Sequence, residues 1–361
     1  MVNSHICIVS NAALSRTPYL HHYTNALSEL GLSYDVYYWQ RDSSPAPIET
    51  NYYPFRLPTP GKRFRFIRRA FGYARYVFHL KQCLTQDKYI GSIFLGIQAA
   101  MVAPRKMLQK RFLVDIRDYS GEWLPPYRWE EARVLRRADL VCISSDGFRR
   151  WLPPGIAYCL AHNFPSKPDV SHMPPFETNR FVLAHVGLLD HLEAYKPFLT
   201  ALRECPEFNM RFIGEGLDGS MIRTYCQRNN IGNVEFAGRY EPHEKKSHII
   251  GTNFITSIYG NSSILTSTAL PNKLYDAAIY GRPIIVSAGT FLGEVVGQKG
   301  LGIVFDPSNR RNLRTDIMGW YSQKQLECFK ANCARFLTEI RPEMTAFKNK
   351  VKATLADWVG G

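Results

Sequence analysis

Short apolar runs alternate with amphipathic stretches along the whole chain. In the first half HICIVS, DVYYWQ, SIFLG, RFLVDIRD, DLVCISS and IAYCLAHN predict strands. Between them, PYLHHYTNALSELG and stretches near 97–108 and 128–138 have the apolar spacing of helices. Strands that alternate with helices in this way predict a parallel sheet with helices on both faces.

The alternation lapses between residues 164 and 180, in a segment rich in Pro, Ser and Asn that is typical of an exposed linker. Beyond it FVLAHVG, MRFIG, NVEFAG, NFITSIYG, RPIIVSAG and LGIVFD predict six further strands, and the chain closes with helices. We therefore predict an α/β protein of two doubly wound, Rossmann-like domains, residues 1–163 and 181–361. We expect them to face a central cleft at the carboxyl ends of their strands, with the last helix packing back on the first domain.

Composition agrees with two globular domains, because the 361 residues are 45% hydrophobic and 21% charged. No apolar run reaches the roughly 18–20 residues of a membrane helix, and the N-terminus lacks the basic start of a signal peptide. A cytoplasmic location is expected. The eight cysteines form no C-x-x-C pair, which favours reduced thiols over disulfides or zinc ligands.

The net charge of +14 is concentrated in one segment, since no acidic residue lies between Glu49 and Asp87 while eight Lys and Arg residues do. Within it Phe64, Phe71 and Phe78 belong to an apolar stripe with helical spacing, which predicts a basic amphipathic helix over 62–79. Two interpretations remain: a solvated face on a core-packed helix, or contact with anionic lipid or phosphate. Nucleic acid is disfavoured because no nucleic-acid motif accompanies the charge.

A G-x-G-x-x-G pattern at Gly214, Gly216 and Gly219 suggests a dinucleotide-binding enzyme, with Glu235 as the acidic ribose ligand. However, the pattern follows the second predicted strand of its domain, whereas the dinucleotide fingerprint belongs to the first strand and turn. A tight turn beside a ligand is the better interpretation, and an oxidoreductase becomes the minor alternative.

The segment LPNKLYDAAIYGRP predicts a helix that begins at Pro271 and Asn272 and ends before Gly281. The free N–H groups at a helix start favour anions, so Lys273 in the first turn would add charge for a phosphate. Asp276, one turn further, could accept both hydroxyls of a ribose. The alternative is that Asn272 caps the helix while Lys273 and Asp276 are solvated.

This segment, LPNKLYDAAIYGRPIIVS, resembles the nucleotide-binding helix of GT-B glycosyltransferases, in particular the family 4-like enzymes of bacterial surface polysaccharide synthesis. Further pieces are similar in the same order: VDIRDYSGEW, RRADLVCISS, FVLAHVGLLD, RFIGEGLDG and NVEFAGRYEP. Three positions depart from the family: Leu188 replaces an arginine, Asp276 replaces a glutamate, and Thr268 stands where the earlier glutamate of a pair is expected.

The resemblance implies donor-binding roles for eight residues: Gly187, Lys196, Gly214, Gly216, Asn272, Lys273, Leu274 and Asp276. It also makes Asp118, and after it Asp115, the candidates for a catalytic base. Arg16 and Arg117 are candidates for contact with phosphate or acceptor.

The implied activity is transfer of a sugar from a nucleotide-diphosphate sugar to a hydroxyl of a glycan or polyprenyl-diphosphate-linked acceptor, in polysaccharide, capsule or lipopolysaccharide synthesis. Such acceptors would give the basic helix a role at the inner membrane face. No cofactor is expected, and no metal, because the chain has no D-x-D and no histidine pair at i, i+4. A non-catalytic nucleotide-sugar or glycan-binding protein and a nucleotide-sugar epimerase remain alternatives.

Overall fold

The computed structural model describes residues 5–41, 49–57, 65–84, 88–164, 181–320 and 323–360. The chain forms two compact units, one of Met1–His162 with Glu343–Gly361, the other of Asn163–Pro342. The predicted linker 164–180 lies, apart from Phe164, outside the described residues.

The first unit contains a parallel sheet of seven strands in the order β3-β2-β1-β4-β5-β6-β7. The strands are β1 His5–Ser10, β2 Ser33–Gln40, β3 Tyr52–Arg56, β4 Tyr89–Leu95, β5 Arg111–Ile116, β6 Leu140–Ile143 and β7 Tyr158–Leu160. The helices are α1 Leu20–Glu29, α2 Arg65–Cys83, α3 Ile97–Val102, α4 Arg105–Gln109 and α5 Pro125–Leu135. The sequence pattern missed β3, an edge strand whose Pro54 and half-exposed side chains lack a strand signature.

The second unit contains a parallel sheet of six strands in the order β10-β9-β8-β11-β12-β13. The strands are β8 Phe181–Val186, β9 Phe208–Ile213, β10 Val234–Gly238, β11 Phe254–Ser257, β12 Ile284–Ser287 and β13 Gly302–Phe305. The helices are α6 Leu192–Arg203, α7 Gly219–Arg228, α8 Lys245–Ile250, α9 Ile264–Thr268, α10 Asn272–Tyr280, α11 Phe291–Lys299 and α12 Leu313–Gly319. All six predicted strands and the two-sheet α/β architecture are confirmed.

A last helix, α13 (Gln323–Gly360), contributes to both units, since the division falls at Pro342. Within the first unit the Phe347 ring lies edge-on to the rings of Tyr23 and His22 in α1. The Trp358 ring occupies the space beside Gly91 of β4, where any side chain would collide with it. Packing of these two aromatic rings therefore attaches residues 343–360 to the first sheet.

Helix α2 packs on the first sheet through a different face from the phenylalanine stripe. Tyr76 and Leu80 are wholly buried, and Gly72 lies close to Trp39, where a Cβ would be 3.2 Å from the ring. By contrast, Phe71 and Phe78 are 63% and 62% exposed. Gly72, Tyr76 and Leu80, rather than Phe71 and Phe78, therefore lie on the core face of the described part of this helix.

Because every pairing is parallel, the carboxyl ends of all strands in a sheet lie at one edge. The strand order reverses between β1 and β4 in the first sheet and between β8 and β11 in the second. Ligands of doubly wound sheets bind outside such reversal points. The loops that follow β8, β9 and β11 are therefore the first place to search for a site in the second unit.

Candidate functional site

The turns after β8 and β9 pack backbone against backbone. Gly187 and Gly214 adopt φ values of 129° and 133°, a region that favours glycine. The Gly187 N–H donates to the Ile213 carbonyl at 2.9 Å. A Cβ on Gly214 would overlap the Gly187 carbonyl, and one on Gly216 would overlap the backbone of Leu189. The glycines of the GEGLDG segment thus allow two turns to touch.

Glu235 takes no part in this turn. It lies within β10, where its carboxylate pairs with Arg211 on the neighbouring β9 at 3.1 Å. The G-x-G-x-x-G pattern therefore lacks the acidic partner that a dinucleotide fingerprint requires.

Helix α10 begins at Asn272, directly after Pro271, and ends at Gly281, whose left-handed φ of 59° terminates it. Pro271 makes no side-chain cap, so the Asn272 and Lys273 N–H groups at the helix start have the orientation that attracts anions. The Leu274 side chain is wholly buried, and its N–H donates to the Pro271 carbonyl at 3.1 Å. Leu274 therefore anchors the helix start in the core.

Lys273 and Asp276 are buried, which excludes the interpretation that they are solvated surface residues. The Lys273 Nζ donates to the Tyr259 hydroxyl at 2.9 Å, in the loop after β11. A Cβ placed on Gly187 would lie 3.3 Å from the same nitrogen. The structure therefore brings an ammonium group to the turn after β8, at the reversal point of the sheet.

A buried histidine near the end of β8 contacts the turn that follows this strand. His185, within β8, contacts the Tyr195 hydroxyl through Nδ1 at 2.7 Å and the Leu188 carbonyl through Nε2 at 2.9 Å. Burial, with a smaller effect of the nearby Lys273 charge, holds the pKa of His185 well below its ordinary value. The imidazole is therefore neutral, donates from Nε2 to the carbonyl and accepts at Nδ1 from the tyrosine.

Asp276 forms an ion pair that the sequence pattern did not predict. Its Oδ2 lies 2.6 Å from the Nζ of Lys245, which belongs to α8. Burial raises the pKa of the Asp276 carboxyl, while the Lys245 charge opposes that rise. No motif marks Lys245, because only the packing of α8 on α10 brings the two residues together.

Lys196, predicted to bind the donor, is half-exposed and pairs with Glu193 one turn earlier on α6, at 2.6 Å. Its ammonium group also lies 5.8 Å from the centre of the Tyr225 ring on α7. Both contacts run along the outer surface of α6 and α7, and its role in binding phosphate stays a prediction.

In the first unit, Asp115 and Arg117 form a buried ion pair at the end of β5. Asp115 is wholly buried and accepts from Tyr23 at 2.8 Å and from Arg117 Nη2 at 2.9 Å. The guanidinium also lies 4.1 Å from the centre of the Tyr19 ring. Both oxygens of Asp115 contact the Arg117 Nε, at 3.0 and 3.1 Å, so the geometry makes this carboxylate an anchor for Arg117.

Asp118 lies at the same edge of the sheet, and it is exposed to solvent. Crowding by surrounding protein atoms raises the pKa of its carboxyl, and the Arg117 charge partly reverses the rise. Arg16 ends a short turn after β1 and is also exposed, so the sheet edge presents both residues to solvent.

No group of three or more His, Cys, Asp or Glu side chains in the described part of the chain is arranged to hold a metal ion. Among the described helices, none combines the length and apolar character needed to cross a bilayer.

No protein-family model and no curated protein sequence matches the chain. Similarity to solved structures extends over nearly its whole length. HepE from Anabaena, in complex with UDP-glucose, superposes with a TM-score of 0.68 at 13% identity, covering 98% of this chain and 99% of that one. Sucrose-phosphate synthase from Thermosynechococcus elongatus gives 0.66 at 15% identity, covering 98% and 95%.

The lipopolysaccharide outer core galactosyltransferase WaaB, in its apo form, gives a TM-score of 0.62 at 17% identity and covers 98% of this chain and 99% of that one. With WaaG and the O-GlcNAc transferase GtfA also among the similar structures, the fold predicted from the motifs is confirmed. The chain has the GT-B fold of glycosyltransferases.

Proposed function

We propose that the protein is a glycosyltransferase that uses a nucleotide-diphosphate sugar as donor. The observation that carries this proposal is the buried Lys273 at the start of α10, beside the glycine turn at Gly187. A buried ammonium group next to free helical N–H groups suits a diphosphate. The similar structures that hold UDP or UDP-glucose support the same class of donor.

In the proposed reaction the bond between the sugar C1 and the diphosphate oxygen breaks while the acceptor oxygen bonds to C1. Lys273 and the α10 N-terminus stabilise the charge that develops on the leaving diphosphate. Asp276 accepts the ribose hydroxyls. If the enzyme inverts configuration, Asp118 takes the acceptor proton, because Asp115 is already committed to Tyr23 and Arg117.

The first test measures binding of UDP, GDP, ADP and dTDP by thermal shift and calorimetry, with and without Mg²⁺. We expect one of them to stabilise the full chain equally with and without the metal. Lys273→Met and Asp276→Asn should each weaken that binding by about tenfold or more, since each removes a charged contact. Lys299→Met is the matched control, because this half-exposed lysine pairs with Glu339 on the protein surface.

A non-catalytic binding protein stays a second candidate because Leu188 occupies the place of the family's arginine and is 60% exposed, and a nucleotide-sugar epimerase stays a third. The fate of the bound nucleotide sugar distinguishes a transferase from an epimerase and from a binding protein. A transferase moves the labelled sugar to acceptor or water, an epimerase returns an altered nucleotide sugar, and a binding protein leaves it intact. Release of an altered nucleotide sugar without nucleoside diphosphate would contradict the transferase.

We further propose that the acceptor is a glycan or a lipid-diphosphate-linked glycan of surface polysaccharide synthesis. The protein would bind this acceptor at the inner face of the membrane. Exposed Phe71 and Phe78 support this, because they leave apolar surface on a basic helix whose Arg75 lies 6.0 Å from the Phe71 ring centre. Lys62 and Arg63 of the predicted basic segment lie outside the described residues. The chain's charge of +14 suits anionic lipid.

Vesicle sedimentation tests this membrane contact. Binding to phosphatidylglycerol vesicles should exceed binding to phosphatidylcholine vesicles and should fall as salt rises. Phe71→Ser with Phe78→Ser should reduce it about tenfold by removing apolar insertion. Met221→Ser, an exposed apolar residue of the second unit, is the control. Equal binding to both lipids would contradict an electrostatic contact.

A further inference from the structure

Asp276 is in an unusual position for a residue that is to bind ribose. A carboxylate that receives hydroxyl groups must be ionised and held in one orientation. Yet this side chain is only 7% exposed, and burial favours the neutral acid. Some neighbouring group must therefore oppose the effect of burial.

The groups that face Asp276 come from three elements. Lys245 on α8 contacts Oδ2 at 2.6 Å, and Lys273 on α10 acts from a greater distance through its charge alone. Tyr240, in the loop after β10, has its pKa raised chiefly by burial and also by the Asp276 charge, so it remains a neutral hydroxyl. Its ring lies edge-on to that of His248 at 5.6 Å. Lys245 is thus the one cation in direct contact among these groups.

We infer that Lys245 is a positioning residue of the donor site, holding Oδ2 of Asp276 so that the carboxylate is an oriented anion for the ribose hydroxyls. This inference rests on the proposed function. The Lys245 ammonium contacts Oδ2, and we expect Oδ1 to receive a ribose hydroxyl. Lys245 itself needs no contact with the nucleotide, so its effect should be confined to the part of the ligand that Asp276 binds.

The experiment compares ligands that differ only in the ribose. Calorimetry measures the affinities of UDP, GDP and ADP and of their 2′,3′-dideoxy counterparts for the full-length protein. At neutral pH, Lys245→Met should weaken the preferred nucleotide about tenfold and its dideoxy form less than about twofold. Lys245→Arg, which keeps the charge, should recover most of the lost affinity.

The pH profile gives a readout that a structural defect would not produce. Without the cation, Asp276 should acquire a proton more readily, so the loss in Lys245→Met should be larger at pH 6 than at pH 8.5. Lys246→Met, the exposed neighbour on the same helix, should leave affinity and pH profile unchanged. If Lys245→Met does not fold, Lys245→Gln replaces it with the same expectation, since glutamine retains a donor without a charge.

The outcomes separate this inference from the proposed function. Equal weakening of ribose and dideoxy ligands, or no weakening, in Lys245→Met would overturn the role of Lys245. Asp276→Asn should abolish the preference for ribose over dideoxyribose. If it does not, the proposed ribose contact is wrong, and the role of Lys245 with it. Failure of the wild-type protein to bind any of these nucleotides would overturn both.

Discussion

Each unit buries a carboxylate and a cation at the carboxyl edge of its sheet, but the two arrangements differ in how completely each charge is paired with an opposite charge. In the first unit Asp115 contacts both Tyr23 and Arg117, and Arg117 also covers the Tyr19 ring. In the second unit Lys273 donates to the Tyr259 hydroxyl, and Asp276, one turn further along the helix, pairs with Lys245.

The difference distinguishes an ion pair that stabilises the fold from a buried charge that is able to bind a ligand. A buried ion pair that satisfies itself holds two elements together and has little to offer a ligand. A buried ammonium group whose contact is a neutral hydroxyl is still attracted to an anion, and its low-dielectric surroundings strengthen that attraction. This difference supports the proposal that Lys273 contacts the ligand, and it favours a structural role for Asp115.

The largest effect is expected from a variant that breaks the ion pair between Asp115 and Arg117. Asp115→Asn should cost about 3–5 kcal/mol of unfolding free energy, because Arg117 would be left as an uncompensated buried charge. Chemical denaturation followed by circular dichroism measures the loss. Asp139→Asn is the control, since its pair with the exposed Arg111 should be worth less than about 1 kcal/mol. Similar losses in both variants would contradict the distinction between the pairs.

The next effect disturbs the glycine turn of the second unit. Gly214→Ala should destabilise by about 2–4 kcal/mol, because its φ disfavours a side chain and its Cβ would overlap the Gly187 carbonyl. Nucleotide binding should be lost with it. Gly232→Ala, where nothing lies within 4 Å of the added carbon, should change stability by only a few tenths of a kcal/mol. Thermal denaturation with and without nucleotide compares them.

Another carboxyl of the first unit, Glu131, is buried, and burial raises its pKa from 4.5 to about 8, with the Glu122 charge adding to the rise and the Arg128 charge opposing it. The unfolded chain loses this proton near pH 4.5 and the folded chain near pH 8. Stability should therefore fall by several kcal/mol as the pH rises through this window, because each pKa unit corresponds to about 1.4 kcal/mol. Glu131→Gln should abolish the fall.

Denaturation curves from pH 4 to pH 9 measure the pH dependence at Glu131. Glu130→Gln is the matched control, because this half-exposed neighbour pairs with Arg133, which lowers the pKa of Glu130. Its replacement should leave the decline between pH 4.5 and pH 8 intact. An unchanged slope in Glu131→Gln would show that Glu131 is not the group that titrates.

The smallest effect concerns Lys196. Since it is half-exposed and paired with Glu193, Lys196→Met should weaken nucleoside diphosphate binding by about threefold, against tenfold or more for Lys273→Met. Titration calorimetry of both variants against one nucleotide makes the comparison. A loss at Lys196 as large as that at Lys273 would place a strong phosphate contact on α6 and would require the Glu193 pair to open.

The periodic pattern predicted the second unit better than the first. Its six strands are apolar runs bounded by Gly or polar residues, and the structure contains all six. In the first unit the pattern did not predict β3, because Pro54 interrupts its short run of aromatic residues. The apolar stripe predicted helix α2 correctly, but it did not predict which face of the helix packs in the core, since Phe71 and Phe78 are exposed.

The sequence by itself determined the alternation of strands and helices, the helix that starts at Pro271, the glycines of the turn and the identity of the candidate charges. These depend on local propensity and on residue chemistry. Only the tertiary structure decided which charges are satisfied: that Asp115 pairs with Arg117, that Lys273 is buried against Tyr259, and that Lys245 pairs with Asp276. The physical reason is that burial and pairing are set by side chains from different elements, which no local pattern brings together.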